Sequence, residues 1–261
     1  MNSSREDWIP ILNEAAKEAR RSVRAVLNRK PRVGTSDLKR LLDDESEKAI
    51  EGVFKRRGAS VNIISEEGEA VIGRGGTFII IDPVDGTTNL AKGIPFAATS
   101  MAVSESQRFD DEVAALVMNL YSGKTYWAEL SRGAWSGRRR LKPAGPKPIG
   151  EALMSLDISK GALQRPVGGI IARSRHIRQL GSSALALCLV SSGVLDAHVD
   201  LRGILRATDI AAGLFILKEA GGAYSIDGTP GGDMELTRES KIELVAASGQ
   251  GVLKDIRSFM G

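Results

Sequence analysis

The chain has 261 residues, 42% of them apolar, a formal net charge of +4, two histidines and one cysteine. That length suits one large domain or two small ones around a sizeable core, and one cysteine rules out an internal disulfide. So few histidines and cysteines argue against zinc, and no apolar run reaches the roughly 20 residues that span a bilayer. The polar, acid-bearing start Met1–Asp7 lacks a signal-peptide core, so a soluble cytoplasmic protein is expected.

Residues 5–28 repeat apolar positions at helical spacing (Trp8, Ile11, Leu12, Ala15, Ala19, Val23), and Leu38–Phe54 predicts a second helix. On that helix Asp43 and Glu47 lie one turn apart. Val61–Ile64, Phe78–Ile81 and Ala97–Val103 read as strands, and Val113–Asn119 with Lys124–Leu130 as a pair joined at Tyr121-Ser122-Gly123. Gly133–Gly137 reads as a hairpin turn before the basic cluster Arg138-Arg139-Arg140, itself read as a solvated face rather than a nucleic-acid patch. Pro143–Pro148 is the clearest linker. Beyond it come a strand (Leu153–Asp157), an apolar helix (Ser182–Ser192) holding Cys188 as a buried small hydrophobe, and a strand (Leu195–Val199). A second apolar helix (Asp209–Glu219), two strands (Gly221–Ile226 and Ile242–Ala246) and a closing helix (Val252–Met260) complete the chain. Such mixing predicts layered sheets and helices, an α/β (α+β mixed) class.

The chemistry concentrates in Ile79-Ile80-Ile81-Asp82-Pro83-Val84-Asp85-Gly86-Thr87-Thr88-Asn89. A buried strand is expected to end near Asp82, because Pro83 has no N–H for the ladder. Two carboxylates three residues apart then sit at a strand's C-terminal end, where open sheets place ligands. Clustered carboxylates repel and are costly to bury unless a cation joins them. Their hard oxygens favour Mg²⁺, Mn²⁺ or Ca²⁺. Taken alone, Asp-Pro and Asp-Gly are ordinary turn dipeptides. Two more acidic segments at the edges of apolar elements, Ile63-Ile64-Ser65-Glu66-Glu67 and Arg206-Ala207-Thr208-Asp209-Ile210, weigh against plain turns.

Together these segments resemble the inositol monophosphatase superfamily of metal-dependent, lithium-sensitive phosphatases. The resemblance rests on Glu66-Glu67, Asp82–Asn89, Thr208–Gly213, Ala220-Gly221-Gly222 and Asp37-Leu38 followed by Asp43, over about residues 5–255. Thr208 and Leu90 stand where the family usually has Trp and often Phe, positions that shape the pocket wall. The resemblance implies a layered α-β-α-β-α sandwich split loosely near residue 145. Residues 1–145 would carry the metal-binding half, and 146–261 a smaller half with substrate contacts and the last metal Asp, the two forming one catalytic unit.

The resemblance also implies roles. Glu66 and Asp82 would hold one ion, and Asp82, Asp85 and Asp209 a second, with Asp85 bridging and the Val84 carbonyl as a further ligand; two or three Mg²⁺ ions are implied, with Mn²⁺ able to substitute. Thr87 would orient the attacking, metal-activated water with Asp43 behind it, and Glu66 would share the catalytic role. The plain role for Thr87 and Thr88 is a helix cap, compatible with the first. A helix starting near Gly86 would offer free N–H groups to phosphate, with Asp85, Gly86 and Thr87 at the substrate. Gly181, Ser182 and Ser183 match the substrate segment, although a Ser there also reads as a cap. Asp200, Arg202 and Arg178 match substrate positions of the archaeal-type branch, which acts on inositol phosphate and fructose 1,6-bisphosphate. Arg206 has no role on this reading. The expected activity is phosphate monoester hydrolysis on a small phosphorylated sugar or polyol, in a homodimer, with no nucleic-acid or membrane partner. Two rivals are a nucleotide 3′-phosphatase or NADP(H) phosphatase, and an inactive phosphate-binding protein.

Overall fold

Two long amphipathic helices open the computed structural model, which describes residues 7–29, 31, 33–160 and 165–259. In α1 (Trp8–Asn28) the buried positions Leu12, Ala15, Ala19, Val23 and Val26 line one face. The helix begins at Trp8, after Asp7; residues 5 and 6 of the predicted span lie outside the described part, as does Met260. Next, α2 (Thr35–Arg57) outruns its predicted span at both ends and stops at Gly58, whose φ of 67° is the left-handed closure glycine permits.

Eight strands form the first sheet: β1 (Val61–Ser65), β2 (Glu69–Ile72), β3 (Thr77–Asp85), β4 (Ala98–Ser104), β5 (Glu112–Asn119), β6 (Thr125–Glu129), β7 (Gly133–Ser136) and β8 (Arg139–Arg140). Their order is β2-β1-β3-β4-β5-β6-β7-β8, with β1 and β3 parallel and the rest antiparallel. A short helix, α3 (Thr87–Lys92), follows β3. The segment read as a turn at Gly133–Gly137 is instead strand β7, and only Gly137 (φ 59°) does the turning. Arg138–Arg140 is exposed beyond it, with Arg140 5.9 Å above the Trp135 ring.

The second sheet contains β9 (Leu153–Asp157), β10 (His176–Arg178), β11 (Ala197–Leu205), β12 (Ala223–Ile226), β13 (Thr229–Pro230) and β14 (Ile242–Ala247), ordered β10-β9-β11-β14-β12-β13. Its helices are α4 (Arg165–Arg173), α5 (Ser183–Ser191), α6 (Ala207–Ala220) and α7 (Gln250–Arg257). Strand β11 runs well past the predicted Val199, and α7 starts two residues before the predicted Val252 and ends at Arg257.

Five layers result. Ile79 and Ile81 of β3 pack with α1 and α2, whereas Ile80 faces α5 and α6. A strand buried on both faces needs no polar alternation, hence the unbroken Ile79–Ile81 run. α5 and α6 lie between the sheets and pack also on Tyr224, Ile226, Leu244 and Ala246, which explains their nearly all-round apolar sequences. A Cβ on Gly213 would meet Leu187 at 3.0 Å, so glycine lets α6 approach α5 this closely. The outer face of the second sheet packs Met154, Leu156 and Val199 against Val167 and Ile170 of α4 and Val252 and Ile256 of α7. Buried Cys188 is free. Among the described residues no helix is long and apolar enough to cross a membrane.

Candidate active site

Strand β3 does not stop at Asp82. It continues to Asp85 through a register shift against β4, where Asp82 pairs with Ser100 but Asp85 with Ala98. Three residues on β3 thus oppose two on β4. Residues i and i+3 of a regular strand point to opposite faces; one extra residue turns Asp82 and Asp85 to the same side. Pro83, with no N–H, sits in this bulge, Val84 N–H donates to Asp82 Oδ1 (3.0 Å), and Thr99 Oγ1 donates to the Pro83 carbonyl (2.9 Å).

Gly86 then takes φ 87°, and a Cβ there would lie 3.0 Å from the carbonyls of Gly181 and Phe96. The chain reverses into α3, and Asn89 Nδ2 donates to the carbonyls of Phe96 (2.8 Å) and Leu180 (2.7 Å), fastening this turn to the start of α5. Asp85 lies at that helix start. Its Oδ2 accepts from Ser182 Oγ (2.5 Å) and Ala184 N–H (2.8 Å). Ser182 is therefore both the α5 cap and a holder of Asp85, and it does not line the cavity, whereas Ser183 and Gly181 do.

The oxygens of Glu66, Asp82 and Asp209 lie within 4.8 Å of one another. Glu66 follows β1, Asp82 lies in β3 and Asp209 in the first turn of α6, so three separate segments converge. An all-oxygen carboxylate set, with Asp82 buried and Glu66 and Asp209 half-buried, suits a hard divalent cation. The charges explain why one is needed. Burial, then the carboxylates of Asp85, Glu66, Asp209 and Asp43, push Asp82 well above the usual carboxylate range. Burial raises Asp85 to about 7, against the pull of its Ser182 bond, and Asp209 to about 6. Burial followed by Glu66 and Glu67 raises Asp43 to about 8. Without a cation, the carboxylates relieve their repulsion by holding protons.

Thr87 Oγ1 lies 2.8 Å from the Val84 carbonyl oxygen and 3.3 Å from Asp43 Oδ1, and its one hydrogen serves one acceptor at a time. These groups line a cavity of about 730 Å³. Strand β11 supplies a wall through a second irregularity: against β14, Asp200 pairs with Leu244 and Leu205 with Ile242, so the intervening residues bulge out. Arg202 in this bulge lines the cavity but is committed to Asp200 (Nε–Oδ1 2.9 Å, Nη2–Oδ2 2.5 Å) and to the Ser159 carbonyl (2.6 Å). Asp200 itself is fully buried and does not reach the cavity. Arg178 is exposed on β10, donates to the Ile177 carbonyl, and lies outside the lining.

The structure adds residues that sequence reasoning missed. Lys39, Asp157, Ser159, Lys160 and Gln179 also line the cavity, with Lys39 Nζ 2.6 Å from Thr88 Oγ1. Asp157 ends a strand, a signal present in the sequence; the others carry none. Arg206, without a role in the sequence, pairs with Glu66 Oε1 through Nη2, and its backbone N–H donates to Asp209 Oδ2 (2.9 Å). Arg238 donates to the Glu66 carbonyl (3.0 Å).

A family model described as the inositol monophosphatase family matches residues 5–256. A Methanothermobacter thermautotrophicus protein named fructose-1,6-bisphosphatase/inositol-1-monophosphatase is 33% identical, over 92% of this chain and 91% of its own. A Methanococcus maripaludis bifunctional NADP phosphatase/NAD kinase is 33% identical over 65% of this chain and 33% of its own. A solved Pyrococcus horikoshii structure, described as having similarities to inositol-1 monophosphatase, superposes with a TM-score of 0.82 at 28% identity, covering 97% of this chain and 98% of that one.

Proposed function

This chain belongs to the inositol monophosphatase family and is a metal-dependent phosphatase; from that premise we propose that it hydrolyses inositol monophosphate, fructose 1,6-bisphosphate or both, with Mg²⁺ as its ion. The convergence of Glu66, Asp82 and Asp209 within 4.8 Å carries the reading. Glu66, Asp82 and Asp209, with Asp85 and the Val84 carbonyl beside them, are the groups that would hold the ions. Bound divalent ions would neutralise phosphate charge and acidify water. The chain's own groups do the rest. The Thr87 hydroxyl, shared between Val84 and Asp43, orients the attacking water, a transition-state role. The Gly86–Thr88 turn presents free N–H groups to the phosphate, and Gly181 and Ser183 face the substrate beside it.

Residues 1–145 would thus supply most metal ligands, and 146–261 the substrate wall and Asp209. The same family reading gives a homodimer inhibited by lithium. The substrate choice is supported by the M. thermautotrophicus relative, which covers nearly the whole chain; the NADP phosphatase relative supports the rival over two thirds as much of it. The deciding experiment is phosphate release from inositol 1-phosphate, fructose 1,6-bisphosphate and NADP⁺, with Mg²⁺, Mn²⁺ or excess chelator. Hydrolysis of either of the first two that disappears with chelator is expected. Full rate under chelation, or activity on NADP⁺ alone, would overturn the proposal.

A further inference from the structure

Of the three clustered carboxylates, Glu66 has the weakest local support. Asp82 sits within a buried strand and Asp209 in the first turn of a buried helix, but Glu66 lies on the turn closed by Ser65 N–H to the Gly68 carbonyl (2.8 Å). Its side chain is 31% exposed. What steadies it comes from the far half of the chain: Arg206 on the carboxylate and Arg238 on the carbonyl. Arg206 also holds Asp209 through its backbone N–H, while Asp209 N–H donates back to the Arg206 carbonyl (3.1 Å).

We infer that Arg206 is a positioning residue for the metal centre, fixing the orientation of Glu66 with its guanidinium and of Asp209 with its main chain. The inference rests on the metal-site reading above. Arg206 donates to one Glu66 oxygen, Oε1, so Oε2 stays available for a cation. A guanidinium keeps its charge at every working pH and offers a planar set of donors, which suits a fixed bracket. Hydrogen-bonded partners behind a ligand usually set metal affinity by fixing its direction. The guanidinium also repels a cation, so two effects compete. If orientation dominates, removing Arg206 weakens metal binding. If repulsion dominates, removing it tightens binding, and Arg206 is merely a counter-ion that the metal displaces.

The test is Mn²⁺ affinity without substrate, read from the EPR signal of free Mn²⁺, with folding checked by circular dichroism. Arg206→Gln retains the backbone N–H that holds Asp209, so it isolates the Glu66 arm. We expect its Kd for Mn²⁺ to rise by about 10–100-fold. Arg206→Lys, which keeps charge but not the planar fork, should recover part of the loss and serves if the Gln variant does not fold. In a Glu66→Gln background, Arg206→Gln should cost no more than about twofold further, since its target is already impaired. Unchanged or tighter Mn²⁺ binding by Arg206→Gln would overturn the inference. So would a full loss that persists in the Glu66→Gln background, or a raised KM for phosphate ester at unaltered Mn²⁺ affinity, which would make Arg206 a substrate contact. If the unaltered protein binds no Mn²⁺, the metal-site reading fails and this inference with it.

Discussion

On the cavity floor three carboxylates are gripped by nearby donors: Asp82 by Val84 N–H, Asp85 by Ser182 and Ala184, Asp209 by Arg206 N–H. On the rim, Lys160 and Gln179 are exposed, and Arg202 is already satisfied by Asp200 and Ser159. The floor is preorganised: fixed donors hold the carboxylates in place, while burial raises the cost of their charge and leaves it for a cation to offset. Of the rim residues, Lys160 and Gln179 stand in solvent-facing positions, and Arg202 is held by its partners rather than by the acidic cluster. Substitutions on the floor and on the rim should therefore differ in what they cost.

The sharpest break should come from the floor. Asp82→Asn and Asp85→Asn are each expected to lower kcat/KM by more than the about 10–100-fold typical of residues behind a ligand, with the fold retained by circular dichroism. Near-normal turnover of either would return that residue to a plain turn role. Thr87→Ala should fall next, by about 10²-fold in kcat with little change in KM, because water orientation acts in the transition state. A change confined to KM would make Thr87 a phosphate contact.

The pH response sharpens the same contrast. Asp43, Asp85 and Asp209 have folded pKa values of about 8, 7 and 6, above their ordinary 3.8. Between the ordinary and raised values the folded, metal-free state binds more protons than the unfolded one, so stability falls as pH rises through about 4 to 8. Thermal unfolding with chelator should show this decline; saturating Mg²⁺ should flatten it, since binding expels those protons. A flat chelated profile would contradict the assigned repulsion. On the rim, Arg202→Ala should cost about 3–5 kcal/mol of stability by stranding buried Asp200. Arg178→Ala, outside the cavity, should leave kcat/KM within about twofold on both inositol 1-phosphate and fructose 1,6-bisphosphate; a selective loss on the bisphosphate would bring Arg178 back to the substrate.

The same division governs what the sequence made legible. Glu66, Asp82 and Asp209 were visible because each follows or opens a strongly apolar element, so local pattern fixes where the side chain emerges. The bulge that turns Asp85 beside Asp82 was not, because register depends on β4. Two short strands escaped too: Glu69-Ala70-Val71-Ile72, at the sheet's edge, carries no clean alternation, and Gly133 at the head of β7 imitates a turn. Arg206 and Glu66 are 140 residues apart, so no periodicity could pair them. Arg178 and Arg202 were matched by position alone, and position does not reveal that Asp200 claims one and solvent the other.

The helical layer between the sheets has a consequence for the order of synthesis. The inner face of the first sheet, with Ile80, Ala102, Ala115 and Val117, is covered by helices whose residues come from 183–220. A ribosome that has delivered the whole first sheet has yet to deliver its cover. Until α6 emerges, that face stays wet and open to other nascent chains, a hazard of long-range topology. Asp209 is carried on the last helix to arrive in that layer, so the site acquires the last of its three clustered carboxylates in the step that covers the first sheet.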